Sequence, residues 1–243
     1  MDIVFSRKGF DSGSGGYPSP IVKGRPISLP IPTERRSETT YDKLGLGDMV
    51  ERITRGKITG DHLCHEDPMF ADGRCAFGQT GAAQSHLSNQ GVSVGDVFVF
   101  FGLFSDEATG EPHHRIYSFL NVQKTLTLGS QPKNNDVLAG FPRRHPHTIG
   151  EWNENNTLYV GEGVCCRSAS NELRLTKFGN PVSVWQTPPW LRQAGLSYHG
   201  REERWLGHDM LRSVGRGQEF VANIDAYPAA HEWLDQIIAE IKR

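Results

Sequence analysis

The strongest hydrophobic pattern in the chain is a near-continuous apolar run at residues 92–104, VSVGDVFVFFGLF, which contains a Gly–Asp turn. A run this rich in β-branched and aromatic residues predicts a central strand that is buried on both faces. A turn follows at residues 107–112, and the pattern at residues 115–128 then predicts a second strand that returns beside the first. Together the two segments predict an antiparallel hairpin.

Shorter patterns on either side of the hairpin complete the predicted fold. Further strands are predicted at residues 3–5, 156–160, 172–175 and 182–186. Helical patterns lie at residues 80–89, 202–216 and 229–242, with a weak amphipathic turn at 46–53. No internal repeat is evident. We therefore expect an α+β fold, with one domain over residues 1–243, a central, mainly antiparallel sheet and C-terminal helices.

A glycine-rich polar loop follows the first predicted strand. Its sequence, SRKGFDSGSGG, places Arg7 and Lys8 where they could neutralise an anion, and Asp11 where it could orient a hydroxyl or bind a metal. The glycine spacing fits neither the P-loop nor the dinucleotide-binding fingerprint. Two interpretations stay open from the residues alone: a binding loop, or a flexible polar turn.

Composition adds limits on the cellular setting. The 243 residues are 37 % hydrophobic and 9 % aromatic, which predicts a folded core. No apolar run approaches the roughly 20 residues of a membrane span, and the amino terminus lacks a signal-peptide pattern, so we expect a cytoplasmic protein without membrane association. The four cysteines are too few for a disulfide framework, so we expect reduced thiols. Nothing in the sequence indicates an oligomeric state.

Charge gives little guidance about partners. A formal net charge of −2 provides no overall electrostatic case for holding long duplex nucleic acid, although local arginine pairs could still contact a few phosphates. Such pairs are more often solvated surface.

The densest group of chemically active residues is DHLCHED at residues 61–67. It offers six acid–base groups or metal ligands, but Gly60 and Pro68 argue for a loop, where spacing alone determines no geometry. A zinc site built from Cys64, His65 and Cys75 would match no standard spacing and lacks a clear fourth ligand.

Two later segments carry further polar groups. The segment RRHPHTIGEWNENN, at residues 143–156, combines histidines with asparagines that could hydrogen-bond a base edge and a tryptophan that could stack on one. A polar turn capped by asparagines is the equally open alternative. Near the end, His199 lies among aromatic residues, a setting more typical of core packing, while Gln218 and Glu219 could point into a cleft.

Several of these motifs together resemble a known family. The segments FSRKGFDSGSGGYPSPI, ITGDHLCHEDP, AFGQTGAAQSHLSNQGVSVGDVFVFFGLF, HPHTIGEWNENNTLYV, LSYHG and GRGQEFV are similar to the third family of nucleotide modification associated domains, over nearly the whole chain. That resemblance implies a link with phage and bacterial systems that modify DNA bases. It also implies that the amino-terminal loop is part of a site. The central hairpin is similar to the sheet of PUA-like domains, which read or modify bases.

The resemblance and the residue chemistry together favour a set of site residues. Expected catalytic residues are Asp11, Ser12, His62, His65, Asp67, His147, His199 and Glu219. Expected substrate-binding residues are Arg7, Lys8, Gln79, His145, Asn155 and Gln218.

Three functions remain open at this point. The first is an enzyme that acts on a nucleotide or on a base in DNA, in a modification or defence system. The second is a non-catalytic PUA-like reader that holds a flipped modified base against Trp152, Trp190 or Tyr198. The third is a nuclease of a defence system that holds a divalent cation between Asp11, Asp61, His62 and Asp67. The sequence names no cofactor, and a divalent metal is the candidate that this chemistry would require.

Overall fold

The predicted hairpin lies at the centre of a large sheet in the computed structural model, which describes residues 1–133, 136–215 and 217–243. In chain order the strands are β1 Asp2–Arg7, β2 Ser19–Val22, β3 Arg25–Pro26, β4 Ile31–Pro32, β5 Cys64–His65, β6 Met69–Ala71, β7 Arg74–Gln79, β8 Val97–Asp106, β9 Pro112–Thr127, β10 Thr157–Glu162, β11 Val184–Gln186, β12 Met210–Arg212 and β13 Glu219–Asn223. The α-helices are α1 Gly47–Thr54, α2 Gly81–Gln90, α3 Pro189–Ala194 and α4 Pro228–Lys242. Single 3₁₀ turns lie at Asp42–Leu44, Asp136–Leu138, Pro146–Thr148, Asn171–Leu173 and Glu202–Arg204.

The main sheet has the strand order β13-β1-β8-β9-β10-β7-β6, and β2 and β3 extend it beside β8. Strand β1 pairs in parallel with the first half of β8, and β2 pairs in parallel with its end. The other pairings in this sheet are antiparallel. The predicted α+β fold, with a mainly antiparallel sheet and a C-terminal helix, is confirmed.

Aromatic side chains fill the core on both faces of β8. Phe98 and Phe100 stack on one face, where Phe77 packs against both and Tyr159 packs against Phe98 and Phe77. Phe101 faces the other side because side chains alternate along a strand, and its ring lies 4.9 Å from Trp185. The continuous apolar run therefore serves two packed layers, as expected for a strand covered on both faces.

The glycine-rich loop is an excursion between β1 and β2, and a small core of its own holds it in place. Phe10 is fully buried beside Leu29 and Tyr41. Gly15 has φ of +80°, and a Cβ there would lie 2.5 Å from the Phe10 ring. The carboxylate of Asp11 accepts hydrogen bonds from the backbone N–H groups of Gly13 and Ser14 at 2.7 Å. The loop is therefore anchored by a buried aromatic ring and by hydrogen bonds to its own backbone.

Two of the predicted elements are absent from the described part of the chain. The helix predicted at 202–216 is instead a 3₁₀ turn followed by a tight hairpin, in which Trp205 bridges Leu211. The apolar residues of this segment match helical spacing, but they meet across the hairpin turn near Gly207. The predicted end of the helix at Arg216 lies outside the described residues. The strand predicted at 172–175 is a 3₁₀ turn that leads into an isolated bridge at Arg174.

Candidate metal centre and its cavity

Two histidines and a carboxylate converge where the edge of the main sheet meets the small sheet of β4 and β5. One ligand atom from each of His65, Asp67 and His147 lies within 4.8 Å of the others. Asp67 Oδ2 is 3.7 Å from His65 Nε2 and 3.5 Å from His147 Nε2. His65 is at the end of β5, Asp67 lies two residues later, and His147 comes from a 3₁₀ turn about eighty residues further along.

Hydrogen bonding distinguishes the two oxygens of Asp67. Oδ1 accepts the backbone N–H of Gly78 at 3.0 Å, and Nε2 of His145 lies 3.3 Å from the same oxygen. Burial alone would raise the pKa of Asp67, but the hydrogen bonds from His145 and His65 and the nearby imidazoles outweigh it and hold this pKa well below its usual range. Asp67 is therefore a carboxylate whose Oδ1 is occupied and whose Oδ2 faces His65 and His147.

The ring of His147 is oriented by Asn156. Its Nδ1 lies 2.6 Å from Asn156 Oδ1, while the amide nitrogen of Asn156 donates to the carbonyl oxygen of His147 at 3.0 Å. Because that amide must therefore present its oxygen to the ring, Nδ1 carries the proton. Burial lowers the pKa of His147 to about 3, so the ring is neutral and its Nε2 offers a lone pair.

His145 has the opposite tautomer. Its Nδ1 accepts the backbone N–H of His147 at 3.2 Å, which leaves Nε2 as the protonated nitrogen facing Asp67. The contact between His145 Nε2 and Asp67 Oδ1 does not meet the geometry of a full hydrogen bond. His145 therefore orients the carboxylate as a donor and does not offer a ligand atom.

This arrangement leaves the His147 Nε2 lone pair facing the ionised Asp67 Oδ2 in a buried site. Two acceptors at 3.5 Å repel each other there unless a proton or a cation lies between them. A cation about 2.1 Å from each ligand needs ligand atoms roughly 3.0–3.4 Å apart, and the two distances from Asp67 Oδ2, 3.5 and 3.7 Å, lie just above this range. Two imidazole nitrogens and one carboxylate oxygen suit Zn²⁺, Fe²⁺, Mn²⁺ or Co²⁺ better than Mg²⁺ or Ca²⁺.

The surroundings of His147 are closely fitted. A Cβ at Gly78 would lie 2.2 Å from the imidazole ring, so only glycine allows the ring this position beside β7. On its other side the ring stacks on Trp152, with centroids 4.1 Å apart and planes at 16°. The Arg36 guanidinium lies 4.2 Å above the same indole. These contacts hold the ring plane, as supporting residues do at metal sites.

A polar cavity of about 300 Å³ opens on the three ligand residues. Its other walls come from the glycine-rich loop, from the end of β7 and from the segment before β13. They include Arg7, Lys8, Gly9, Asp11, Ser14, Ile31, Gly78, Gln79, Gly215, Gly217 and Gln218.

The two cations of the loop already have partners. The Arg7 guanidinium donates to the carbonyl oxygens of Val214 and Gly215 at 2.8 and 3.1 Å, so it holds the segment before β13 in place. Lys8 Nζ donates to Glu219 Oε1 at 2.8 Å, and Gln79 donates to the same oxygen at 2.7 Å. Lys8 keeps further N–H groups that can serve a ligand in the cavity.

Comparison with protein-family models identifies the family of this chain. The model described as nucleotide modification associated domain 3 matches residues 2–223. The chain belongs to this family. No curated protein and no solved structure gives a significant match. The likeness of its hairpin to PUA-like domains thus stays a prediction. Among the described residues, no helix combines the length and the apolar character needed to cross a membrane.

In this domain the cavity brings together a little over half of the predicted site residues. Those at the cavity are Arg7, Lys8, Asp11, His65, Asp67, Gln79, His147 and Gln218. Glu219 lies directly behind them, bonded to Lys8 and Gln79, and His145 lies behind Asp67.

The remaining predicted residues lie elsewhere. Ser12 is exposed at the tip of the loop. His62 is half-exposed in a turn with Thr59. His199 is buried, accepts the backbone N–H of Val214 through Nε2 and packs against Phe220. Asn155 contacts the start of α2, where it bonds both backbone groups of Gly81.

The residues named for the alternative functions do not converge. Trp190 is buried against Trp233, and Tyr198 is exposed beside His86, while Trp152 packs on the candidate metal centre. Asp61 is 88 % exposed and does not line the cavity. Cys64 and Cys75 are buried in two different apolar clusters, which separates two of the three ligands of the zinc site considered from the sequence.

Two supporting residues could not be selected from the sequence alone. Asn156 follows Asn155 directly, and only the start of β10 shows that one faces His147 and the other faces α2. Gly78 is one of 27 glycines, and only the packing of His147 against β7 shows that this position must lack a side chain.

Proposed function

We propose that this domain is a metal-dependent enzyme that acts on a nucleotide or a nucleobase. The observation that carries the proposal is the set of three converging ligand atoms, one of which has its lone pair oriented by Asn156. Coordination by three protein ligands with open positions toward a cavity is typical of catalytic metal sites. The family to which the chain belongs supports a nucleotide as the substrate class.

In this proposal the protein positions the metal and the substrate. His65, Asp67 and His147 hold the cation, which would lower the pKa of a bound water and polarise a substrate oxygen. Lys8 and Gln79 lie on the cavity wall and would stabilise negative charge on the substrate. The glycine-rich loop forms this side of the cavity.

Iron-dependent oxygenation is a second candidate. The spacing His65-x-Asp67 with a distant His147 supplies two imidazoles and one carboxylate, which is the ligand set of non-haem Fe²⁺ oxygenases. The co-reactants separate the two candidates: hydrolysis consumes only water, whereas oxygenation consumes O₂ together with two electrons from an added reductant such as a 2-oxo acid.

The test is turnover by metal-loaded protein. The full chain, stripped with a chelator and reloaded separately with Zn²⁺, Mn²⁺ or Fe²⁺, is incubated aerobically with nucleoside mono- and triphosphates and with single-stranded DNA, and a parallel Fe²⁺ sample also contains a 2-oxo acid and ascorbate as reductants. Mass spectrometry then follows the substrates. We expect a product that requires metal, is lost in His147→Gln and persists in His62→Gln, because His62 lies in an exposed turn outside the cavity. Failure to form any product with any of these metals, or a product that His147→Gln also makes, would contradict the proposal.

A further inference from the structure

A second cavity adjoins the candidate metal centre. It has a volume of about 420 Å³ and shares Gly9 and Asp67 with the first cavity as lining residues. The size is within the range of small-molecule sites. Because Gly9 and Asp67 belong to both linings, the two cavities meet at these residues, next to the candidate metal centre.

The walls of the two cavities differ in chemistry. The first is mostly polar, whereas the second is formed largely by rigid or apolar side chains. Its apolar walls include Pro26, Pro30, Pro68, Phe70, Leu44 and Leu46. Proline rings, leucines and a phenylalanine present flat, dry surfaces that suit the faces of an aromatic heterocycle.

A few polar groups line the same cavity. Glu66 is 8 % exposed, and Arg143 holds its carboxylate through bonds from both Nε and Nη2. Each carboxylate oxygen keeps a second lone pair that can accept an N–H group from the edge of a base. Ser28 and Tyr117 supply hydroxyl groups on the same lining. Apolar faces with a small number of fixed polar groups are the usual design of a specific small-molecule site.

Gly9 keeps the boundary between the two cavities thin. Its φ is +80°, and a Cβ there would lie 2.7 Å from Ser28 Oγ. A side chain at residue 9 would therefore clash with Ser28 in the lining of the second cavity, beside its junction with the first cavity.

We propose that the second cavity is the nucleobase subsite, with the base between its apolar walls and the sugar and phosphate directed past Gly9 and Asp67 into the metal-containing cavity. This inference deepens the proposed function and rests on it for the class of substrate. The same base could come from a free nucleotide or from a nucleotide extruded from a DNA strand, and the chemistry of the subsite is common to both.

The test measures binding without catalysis. The full chain, in buffer with a chelator, is titrated calorimetrically with deoxynucleosides that carry no phosphate, and in a second arm with a short single-stranded oligonucleotide containing all four bases. Leu44→Trp places an indole in the cavity. Lys43→Trp places the same group on the exposed side of the same 3₁₀ turn and is the control. Cys165→Trp obstructs the cavity from a different segment, so that the result does not depend on the folding of one variant.

We expect binding in at least one arm, weakened by about tenfold or more in Leu44→Trp and Cys165→Trp and unchanged in Lys43→Trp. Binding in the first arm alone identifies a free nucleotide as the source, and binding in the second arm alone identifies a DNA strand. Absence of binding in both arms, or binding that both blocking variants retain, overturns the inference. Because no metal is present, this result is independent of turnover: base binding without metal-dependent product would contradict the proposed function alone.

Discussion

Two of the three imidazoles around Asp67, those of His147 and His145, differ in what their Nδ1 atoms contact, and that difference assigns their roles. His147 donates through Nδ1 to Asn156 and offers Nε2, whereas His145 accepts through Nδ1 and donates through Nε2. His65 is the most accessible of the three candidate ligands, with 18 % of its side chain exposed. Neighbouring residues of one type therefore have distinct chemistry because their hydrogen-bond partners differ.

Asn156→Ala should weaken metal binding without removing a ligand. Without the amide acceptor the His147 ring loses its fixed tautomer and orientation, and loss of such a partner typically costs about 10–100-fold in metal affinity. Competition with a chromogenic chelator measures the affinity. Asn153→Ala is the control, because Asn153 is exposed three residues earlier. Equal affinity in the two variants would show that Asn156 does not orient the ligand.

Gly78→Ala should displace His147, since the new methyl group would lie 2.2 Å from the ring before relaxation. We expect a loss of metal affinity of about tenfold or more and a fall of about 1–3 kcal/mol in the free energy of unfolding. Gly200→Ala is the matched control, because a Cβ there meets nothing within 4 Å and the backbone is not in the left-handed region. If Gly78→Ala bound metal as tightly as the wild-type protein, the close contact between residue 78 and the His147 ring would not control the metal site.

At the scale of elements, a buried polar network joins the ends of three strands. Lys8 follows β1, Gln79 ends β7 and Glu219 begins β13, and both Lys8 and Gln79 donate to Glu219 Oε1. The side chains of Lys8 and Glu219 are 10 % and 1 % exposed. The network therefore links the glycine-rich loop to two walls of the cavity.

Lys8 and Glu219 should be energetically coupled, so that removing both costs less than the sum of the two single losses. Lys8→Met leaves the Glu219 carboxylate buried with one donor, which we expect to lower the free energy of unfolding by about 3–5 kcal/mol. The double variant Lys8→Met with Glu219→Met should be less destabilised than the sum of the two single variants. Urea unfolding of all four proteins gives the coupling; strictly additive losses would mean that the two groups act independently.

The elements that could be predicted from the sequence are those with strong local patterns. Strands β8 and β9 and helix α4 are recovered within a few residues because they carry long apolar patterns, and helix α2 is recovered because its run of small residues ends at Gly91. The helix predicted at 202–216 is wrong because a hairpin brings Trp205 and Leu211 together across a turn that contains Gly207. Apolar spacing alone does not distinguish the two arrangements.

At the scale of the whole molecule, the site depends on contacts between residues far apart in the chain. The 61–67 segment and the 143–156 segment could each be selected by residue type, but their convergence requires β5, β7 and the turn at Pro146–Thr148 to meet. Long-range register of this kind leaves no local pattern. For the same reason His62 and Asn155 were expected at the site although they lie outside the cavity lining, while Asn156 and Gly78 were not selected.

The buried histidines also predict how global stability varies with pH. Burial lowers the pKa of His114 to about 3 and that of His199 to about 4, from a usual value of 6.5. Between pH 6.5 and 4 the unfolded chain binds protons that the folded chain does not, so the free energy of unfolding should fall as the pH falls through this range.

Each of these two histidines should lower the free energy of unfolding by roughly 2 kcal/mol between pH 7 and pH 5. The slope is about 1.4 kcal/mol per pH unit below pH 6.5. Urea unfolding at both values measures the difference, and His199→Gln should reduce it by about one histidine's share. A pH difference that His199→Gln leaves unchanged would show that this ring is not buried in its neutral form.

The metal content of the purified protein tests the central claim most directly. After reconstitution with Zn²⁺ or Fe²⁺ and removal of excess ion, plasma mass spectrometry should find about one equivalent of metal in the wild-type protein and in His62→Gln. Asp67→Asn should retain far less, because the amide cannot replace the ionised Oδ2 between His65 and His147. A wild-type protein that holds no stoichiometric metal, or an Asp67→Asn variant that holds a full equivalent, would contradict the account.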